Sequence, residues 1–379
     1  MTQGAYPAGR AVAQRVQDHF IRHVAGAAVD AGVLTAPLPD LTAIEELIEA
    51  GFWTSLRREE VYVPKISIAL CPARYSPHPL LFDHPLALQP HVLARVAPAV
   101  ERPGIHLGAW RDAGELLVWG TTRDLPRYCL VLEVAAPGLL VVKQHRGGDH
   151  TKFANVAVLE GDLVKVVDEH ATSLPDCPSL LTSLLGFDSP ATWGDSVNVL
   201  VQLAVSMRAH GRGGLLLVVP RDQPSWRDSI VWPLPYALNP PYQELAELMD
   251  RPPAEQQQRL WQDALTRAVE LIAGVTAVDG ATLVTDRYDL LAFGAKIARR
   301  RGSPPVEHVT VTEPIEGGHP ATVHPSELGG TRHLSAAQFV HDQRGAVALV
   351  ASQDGRFTIF AWSPCEEMVH AHRVETLLL

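Results

Sequence analysis

From about residue 190 onward, segments with a helical period alternate with short, continuously apolar runs. "DSVNVLVQLAVSMRAHG" carries its apolar residues at helical spacing and leads into "GGLLLVVP", which is long enough for a strand and has no polar face. The amphipathic "EQQQRLWQDALTRAVELIAG" leads to "ATLVTD" and "DLLAFGAKI". A helix opening near residue 331 leads to "AVALVAS" and "RFTIFAW", separated by Gln353-Asp354-Gly355. Strands without a polar face must be covered on both sides. The alternation therefore predicts an α/β fold, a mixed central sheet flanked by helices in the C-terminal half. A Pro- and Trp-containing excursion over 220–242 and a loop of about thirty residues before residue 331 interrupt the pattern.

The N-terminal half reads differently. Val12, Val16, Phe20 and Val24 form one helical stripe. In "LTAIEELI", Thr42 is placed to cap a second helix, with Glu45 closing a capping box and Gly51 ending it. Between about 60 and 168, β-branched runs such as "ELLVWGTT", "YCLVLEV" and "LLVVKQH" alternate with Gly, Pro and Asp. A hairpin is expected at Glu160-Gly161-Asp162. The proline-dense stretch 71–91 reads as loop. The loop-rich stretch 170–193 is the expected boundary between an α+β N-terminal domain of unassigned role, 1–188, and a second domain, 189–379.

Composition excludes some functions. The net charge is −10, so the chain lacks the basic surface that general nucleic-acid or anionic-membrane binding needs. No apolar run is long enough to cross a bilayer. The four cysteines, Cys71, Cys129, Cys177 and Cys365, are widely spaced, and no secretory signal is evident. Free thiols and a cytoplasmic location are expected.

The residues with chemical potential lie in the C-terminal half. In "GGTRHL", Gly329 and Gly330 allow close backbone approach at a helix N-terminus, where free N–H groups and the dipole favour an anion. Thr331 can cap or donate, Arg332 offers a planar fork for phosphate, and His333 adds a donor. In "VDGAT", Asp279 stands at a strand end with only Gly280 and Ala281 beside it, placed to hold a divalent metal or accept a hydroxyl proton. Taken singly, these are also an ordinary helix start and an ordinary Asp-Gly turn.

In this order, "GRGGLLLVV" (211–219), Asp279-Gly280-Ala281, Gly330-Thr331-Arg332-His333 and "VASQDGRFTIF" (350–360) resemble the diadenylate cyclase (DAC) domain of the DisA type. The resemblance covers roughly 190–365. It implies that Asp279 binds Mg2+ or Mn2+ and helps activate a ribose 3′-hydroxyl. Gly280 and Ala281 would line base or ribose, and Gly330, Thr331, Arg332 and His333 would hold phosphates. Ser352 would contact the nucleotide. The family joins two ATP molecules into cyclic di-AMP across two facing subunits, so a homo-oligomer is expected with activity. Two positions depart from the family: Leu334 replaces the second arginine of RHR, and Gln353 replaces the glutamate after the serine. Losing one stabilising donor costs on the order of 10²–10³ in rate. The departures resemble the divergent DAC-like sensor branch called DACNV. The expectation is thus a sensor of ATP or a cyclic nucleotide in a bacterial defence or signalling system; the alternative is an active diadenylate cyclase.

Three further groups have everyday explanations. Arg299-Arg300-Arg301 with Lys296 reads as a solvated loop face. His370 and His372 with Glu367 lack a further ligand, which favours packed histidines over a metal site. "SWRDSIVWPLPY" (225–236) can stack a purine or pack over the core.

Overall fold

A computed structural model describes residues 5–26, 34–58, 62–146, 153–168, 199–256 and 258–379. The chain forms two compact units, Met1–Val167 with Leu379, and Asp168–Leu378. The expected boundary at 188/189 lies outside the described residues.

Unit 1 contains α1 (Pro7–Gly26), α2 (Leu41–Ser55), β1 (Ile66–Leu70), β2 (Leu80–Ala87), α3 (Pro90–Val96), β3 (His106–Asp112), β4 (Glu115–Thr122), β5 (Leu130–Ala136), β6 (Leu139–His145), β7 (Phe153–Glu160) and β8 (Leu163–Val166). The sheet order is β2-β4-β3-β1-β5-β6-β7-β8. Val12, Val16 and Phe20 are fully buried, as their stripe predicts, against Ile44, Leu47 and Ile48 of α2.

Three local expectations in this unit are corrected. The cap of α2 is Asp40, whose carboxylate accepts from the Ala43 N–H at 2.8 Å, so Thr42 lies inside the helix. The helix also runs past Gly51 to Ser55. Gly51 is there for packing, since a Cβ would stand 2.6 Å from Leu132 Cδ2. The stretch 71–91 is not all loop. It holds β2, an exposed edge strand in which Pro85 is tolerated, and the start of α3.

Unit 2 contains α4 (Val199–Ala209), β9 (Gly214–Val219), β10 (Tyr236–Tyr242), α5 (Glu244–Met249), α6 (Pro253–Gln256), α7 (Arg259–Val275), β11 (Ala281–Thr285), β12 (Leu290–Ala295), β13 (Val309–Thr312), β14 (Ala321–Val323), α8 (Thr331–Asp342), β15 (Val347–Ala351), β16 (Phe357–Ser363) and β17 (Met368–Arg373). Its sheet runs β10-β12-β11-β9-β15-β16-β17-β13-β14. Every residue of β9 is buried. Leu215, Leu217 and Val219 pack with Ala336, Phe339 and Val340 of α8. Strand alternation turns Leu216 and Val218 to the opposite face. The thirty-residue loop expected before α8 is partly ordered into β13 and β14, which pair with each other antiparallel. β13 also runs parallel to β17.

Candidate functional site

Four segments of unit 2 meet at one edge of its sheet. β9 and β11 are parallel, with Thr282 opposite Leu216, so their N-terminal ends share that edge. β15 is antiparallel to β9, with Ala351 opposite Gly214, which brings its C-terminal end and the 352–355 turn to the same place. The first turn of α8 arrives beside them. A Cβ built on Gly213 would lie 2.8 Å from Arg332 Nη1, 3.2 Å from the Ala351 carbonyl oxygen and 3.4 Å from Gln353 Cγ. Asp279 lies two residues ahead of β11, in a bend whose carbonyl oxygen stands 3.4 Å from the Cβ position of Gly294 in β12.

The glycine loop before β9 is fixed from behind. His210 Nε2 bonds Thr276 Oγ1 at 3.2 Å, and the Arg212 N–H donates to His210 Nδ1 at 3.1 Å. Burial lowers the His210 pKa, and the neighbouring Arg212 charge adds to this. Gln353 Nε2 donates to the Arg212 carbonyl at 3.4 Å, which ties the 352–355 turn to the same loop. Gln353 and Arg212 thus belong to the site's frame through backbone contacts that no motif announces.

The mouth of α8 differs from its expected form. Its N-cap is Gly330, with no side-chain hydrogen bond, and Thr331 is the first helical residue. No side chain therefore occupies the cap position, and a Cβ on Gly330 would meet nothing within 4 Å. The His333 amide donates to the Gly330 carbonyl at 3.0 Å, which leaves the Thr331 and Arg332 amides and the positive end of the dipole for a ligand.

His333 does not join them. It is buried, its Nε2 lies 3.4 Å from Thr358 Oγ1, and its ring edge faces Phe360. Burial lowers its pKa. The Asp354 carboxylate opposes that shift, and the charges of Arg356, Arg332 and Arg373 reinforce it. Gly329 is required above it, since a Cβ there would come 2.5 Å from His333 Nδ1. Leu334, 41% exposed, presents an apolar side chain on the helix's first turn.

On the other side, Gly280 has φ +105°, and a Cβ would fall 2.5 Å from the Gly294 carbonyl carbon, so the backbones flanking β11 and within β12 touch. Ala281 is buried in β11. Tyr236, half-exposed, stacks on Phe293 with ring centroids 4.8 Å apart. The Cβ position of Gly294 lies 2.8 Å from Tyr236 Cδ2 and 3.4 Å from the Asp279 carbonyl oxygen. The end of the aromatic segment 225–236 therefore forms a plate beside Asp279. Ser352 is half-buried, and its N–H donates to the Arg356 carbonyl at 2.9 Å.

Asp279 is exposed and Arg332 half-exposed. Among the described residues neither side chain has a hydrogen bond or ion pair. The strand and helix ends here thus carry a guanidinium, two helix-terminal amides, a carboxylate and an aromatic face, with no side-chain hydrogen bond or ion pair at Arg332 or Asp279 among the described residues. No group of three or more acidic, His or Cys residues suited to a metal occurs among the described residues. The carboxylate partner of His370 is Glu366, at 2.8 Å, in place of Glu367. His372 Nδ1 bonds Thr312 Oγ1 at 2.7 Å. Among the described residues, no helix is long and apolar enough to cross a membrane.

Unit 2 is thus an α/β unit with an anion-friendly sheet edge, joined in one chain to a second, N-terminal sheet unit. Residues 34–123 match the model of the family described as probable sensor domain DACNV, and that segment is a DACNV-like sensor domain. It spans α2, β1, β2, α3, β3 and β4. No curated protein matches the chain significantly.

This overturns the expected architecture. A DAC-like domain in the C-terminal half, behind an α+β domain without a role, is the reverse of the observed order, because the matched segment and its sheet lie in the N-terminal half. The expectation rested on four short segments in order, chiefly the DGA and GTRH motifs at a strand start and a helix start. The match rests on ninety consecutive residues that contain neither motif.

Proposed function

We propose that the protein couples its DACNV-like segment to a nucleotide-binding edge in unit 2, and so senses ATP or a cyclic nucleotide. One observation carries this reading: the Arg332 guanidinium lies at the start of β9, 2.8 Å from the Cβ position of Gly213, and Asp279, 53 residues away in sequence, lies just ahead of the neighbouring parallel strand β11, with neither side chain engaged among the described residues. In this reading Arg332 and the open amides of α8 take phosphate oxygens. Gly280 lets a ribose approach the β11 end, and Tyr236 offers its face to a base. Ser352 contributes a hydroxyl from the adjoining turn. His333 acts from beneath, holding Gly329 and the start of α8 in place.

The test is titration of the full chain with ATP in the presence of Mg2+. Arg332→Ala should weaken binding by about 1.5–3 kcal/mol, the value of a charge-assisted hydrogen bond, or roughly ten- to hundredfold. Undiminished affinity in that variant would remove the site assignment.

A working cyclase is the second reading, and the free Asp279 carboxylate favours it. A single carboxylate suits Mg2+ or Mn2+, which keeps water ligands and is completed by substrate phosphates. The metal would supply charge neutralisation at the attacked phosphoryl, while Arg332 orients the triphosphate. Production of cyclic di-AMP from ATP, abolished by Asp279→Asn, would select this reading over a pure sensor.

A further inference from the structure

The opposite edge of the same sheet carries a cavity of about 710 Å³. It opens where β9 ends at Pro220 and β15 begins near Ala346, beside the C-terminal end of α8. α8 has twelve residues, so at 1.5 Å per residue this cavity lies about 18 Å from the Arg332 end. The volume falls in the range of small-molecule sites. Arg300, Arg301 and Arg344 line it, together with Trp226, Ser303 and His341.

The arginine run is held in place, which a solvated loop face would not require. Asp342 has a fully buried side chain. Its carboxylate accepts from the Arg300 N–H at 2.8 Å, from Ser303 Oγ, from Gln338 Nε2 at 2.9 Å and from His341 Nδ1 at 3.1 Å. Gln338 adds two bonds, accepting from the Val306 N–H at 3.0 Å and donating to the Pro304 carbonyl at 3.2 Å. Residues 300–306 are therefore stapled to α8.

The guanidinium forks remain free within this frame. Arg300 has only a long contact, 3.9 Å, to Asp228. Arg301 has no ion pair or hydrogen bond from its side chain among the described residues. Arg344 lies over the Trp362 ring with its Cζ 4.0 Å from the centroid, a contact that uses a π-face and leaves the N–H edges open. Three cations against two carboxylates, Asp342 saturated by hydrogen bonds and Asp228 at 3.9 Å from Arg300, leave this mouth positive, in a chain whose net charge is −10. Trp226, buried in the wall, adds an apolar surface.

We infer that this cavity is a second binding site, for a small phosphorylated molecule whose phosphate groups bridge Arg301 and Arg344. Arg344, stacked on Trp362, and Arg301, on a backbone stapled to α8, offer planar forks suited to phosphate oxygens. The inference is independent of the nucleotide reading, because it uses other residues at another edge.

The experiment is calorimetric titration of the full chain with inorganic pyrophosphate. The arms are wild type, R301Q/R344Q, R301K/R344K and R332Q, each checked for an unchanged melting temperature. The double Gln variant should lose at least tenfold in affinity. The double Lys variant, which keeps charge and loses the fork, should lie between it and wild type. In R332Q the binding event that depends on Arg301 and Arg344 should persist, while any event at the α8 N-terminal edge weakens. No binding to wild type, or equal affinity in wild type and R301Q/R344Q, would overturn the inference. Loss in R332Q with none in the double Gln variant would place phosphate binding solely at the α8 N-terminal edge, overturning the second site and leaving the nucleotide reading intact. Loss in the double Gln variant with none in R332Q supports the second site and leaves the nucleotide reading to the ATP titration.

Discussion

Substitution of Gly213 by Ala tests the site geometry more sharply than removal of a charged group. Gly213 has φ +71° and Gly211, two residues earlier in the same loop, has φ +65°. An L-residue in that region costs about 1–2 kcal/mol at either position. For a unit of this size, that lowers the melting temperature by about 2–8 °C. The two positions differ in what a methyl group meets. At Gly211 nothing lies within 4 Å, whereas at Gly213 the methyl would stand 2.8 Å from Arg332 Nη1 and 3.2 Å from the Ala351 carbonyl oxygen. The guanidinium sits at the end of a flexible chain, so it moves aside at little cost in stability. It then no longer occupies its place over the sheet edge. Gly211→Ala should therefore lose stability and keep ATP affinity. Gly213→Ala should lose slightly more stability and several-fold in affinity. In an Arg332→Ala background, the affinity effect of Gly213→Ala should disappear, since the two changes act on one contact. Urea unfolding and ATP calorimetry on the five proteins measure both quantities. Equal affinities for Gly211→Ala and Gly213→Ala, or an undiminished Gly213→Ala effect without Arg332, would refute the placement of the guanidinium.

Other consequences can be measured directly. Gly280→Ala should destabilise unit 2 by about 2–3 kcal/mol or more in urea unfolding, because its methyl would meet backbone atoms of Gly294 and Ala295 at 2.5–2.9 Å, which cannot rotate away. Asp40→Ala should cost about 1 kcal/mol by removing the α2 cap, and Thr42→Ala distinctly less. Burial pushes the His372 pKa down to about 4, and the nearby His370 adds to the shift. The unfolded chain, with an ordinary value near 6.5, binds this proton first. Stability should therefore be fully present above about pH 6.5 and fall as pH drops towards 4, by roughly 3 kcal/mol in total. Urea midpoints at pH 7 and pH 5 for wild type and His372→Gln would show it, with a smaller pH dependence in the variant.

Much of the secondary structure was legible because it follows from local periodicity. The Val12–Val16–Phe20 stripe, the hairpin at Gly161 and the fully apolar β9 each express a rule acting over a few residues. Caps were less legible. Asp40 and Thr42 are both good cap residues, and only the chain's path decides which side chain faces the free amides. β2 and β14 escaped notice because exposed edge strands have no apolar signature, and β13 because its four residues, half of them Thr, are too short a run to stand out although it is buried between β17 and β14.

The chemistry divides along the same line. Residue types alone marked Asp279, Arg332 and the glycines as unusual at strand and helix ends, and excluded a broad polyanion-binding surface. Tertiary structure decided that the starts of β9, β11 and α8 lie at one end of the sheet, that His333 turns inward, and that Tyr236 stands beside the Asp-Gly turn. It also pinned the Arg299–Arg301 run to Asp342, a carboxylate some forty residues away. The physical reason is that sequence fixes what each segment can bury and bond locally. Strand order and crossing direction, which depend on long-range pairing, choose which ends meet.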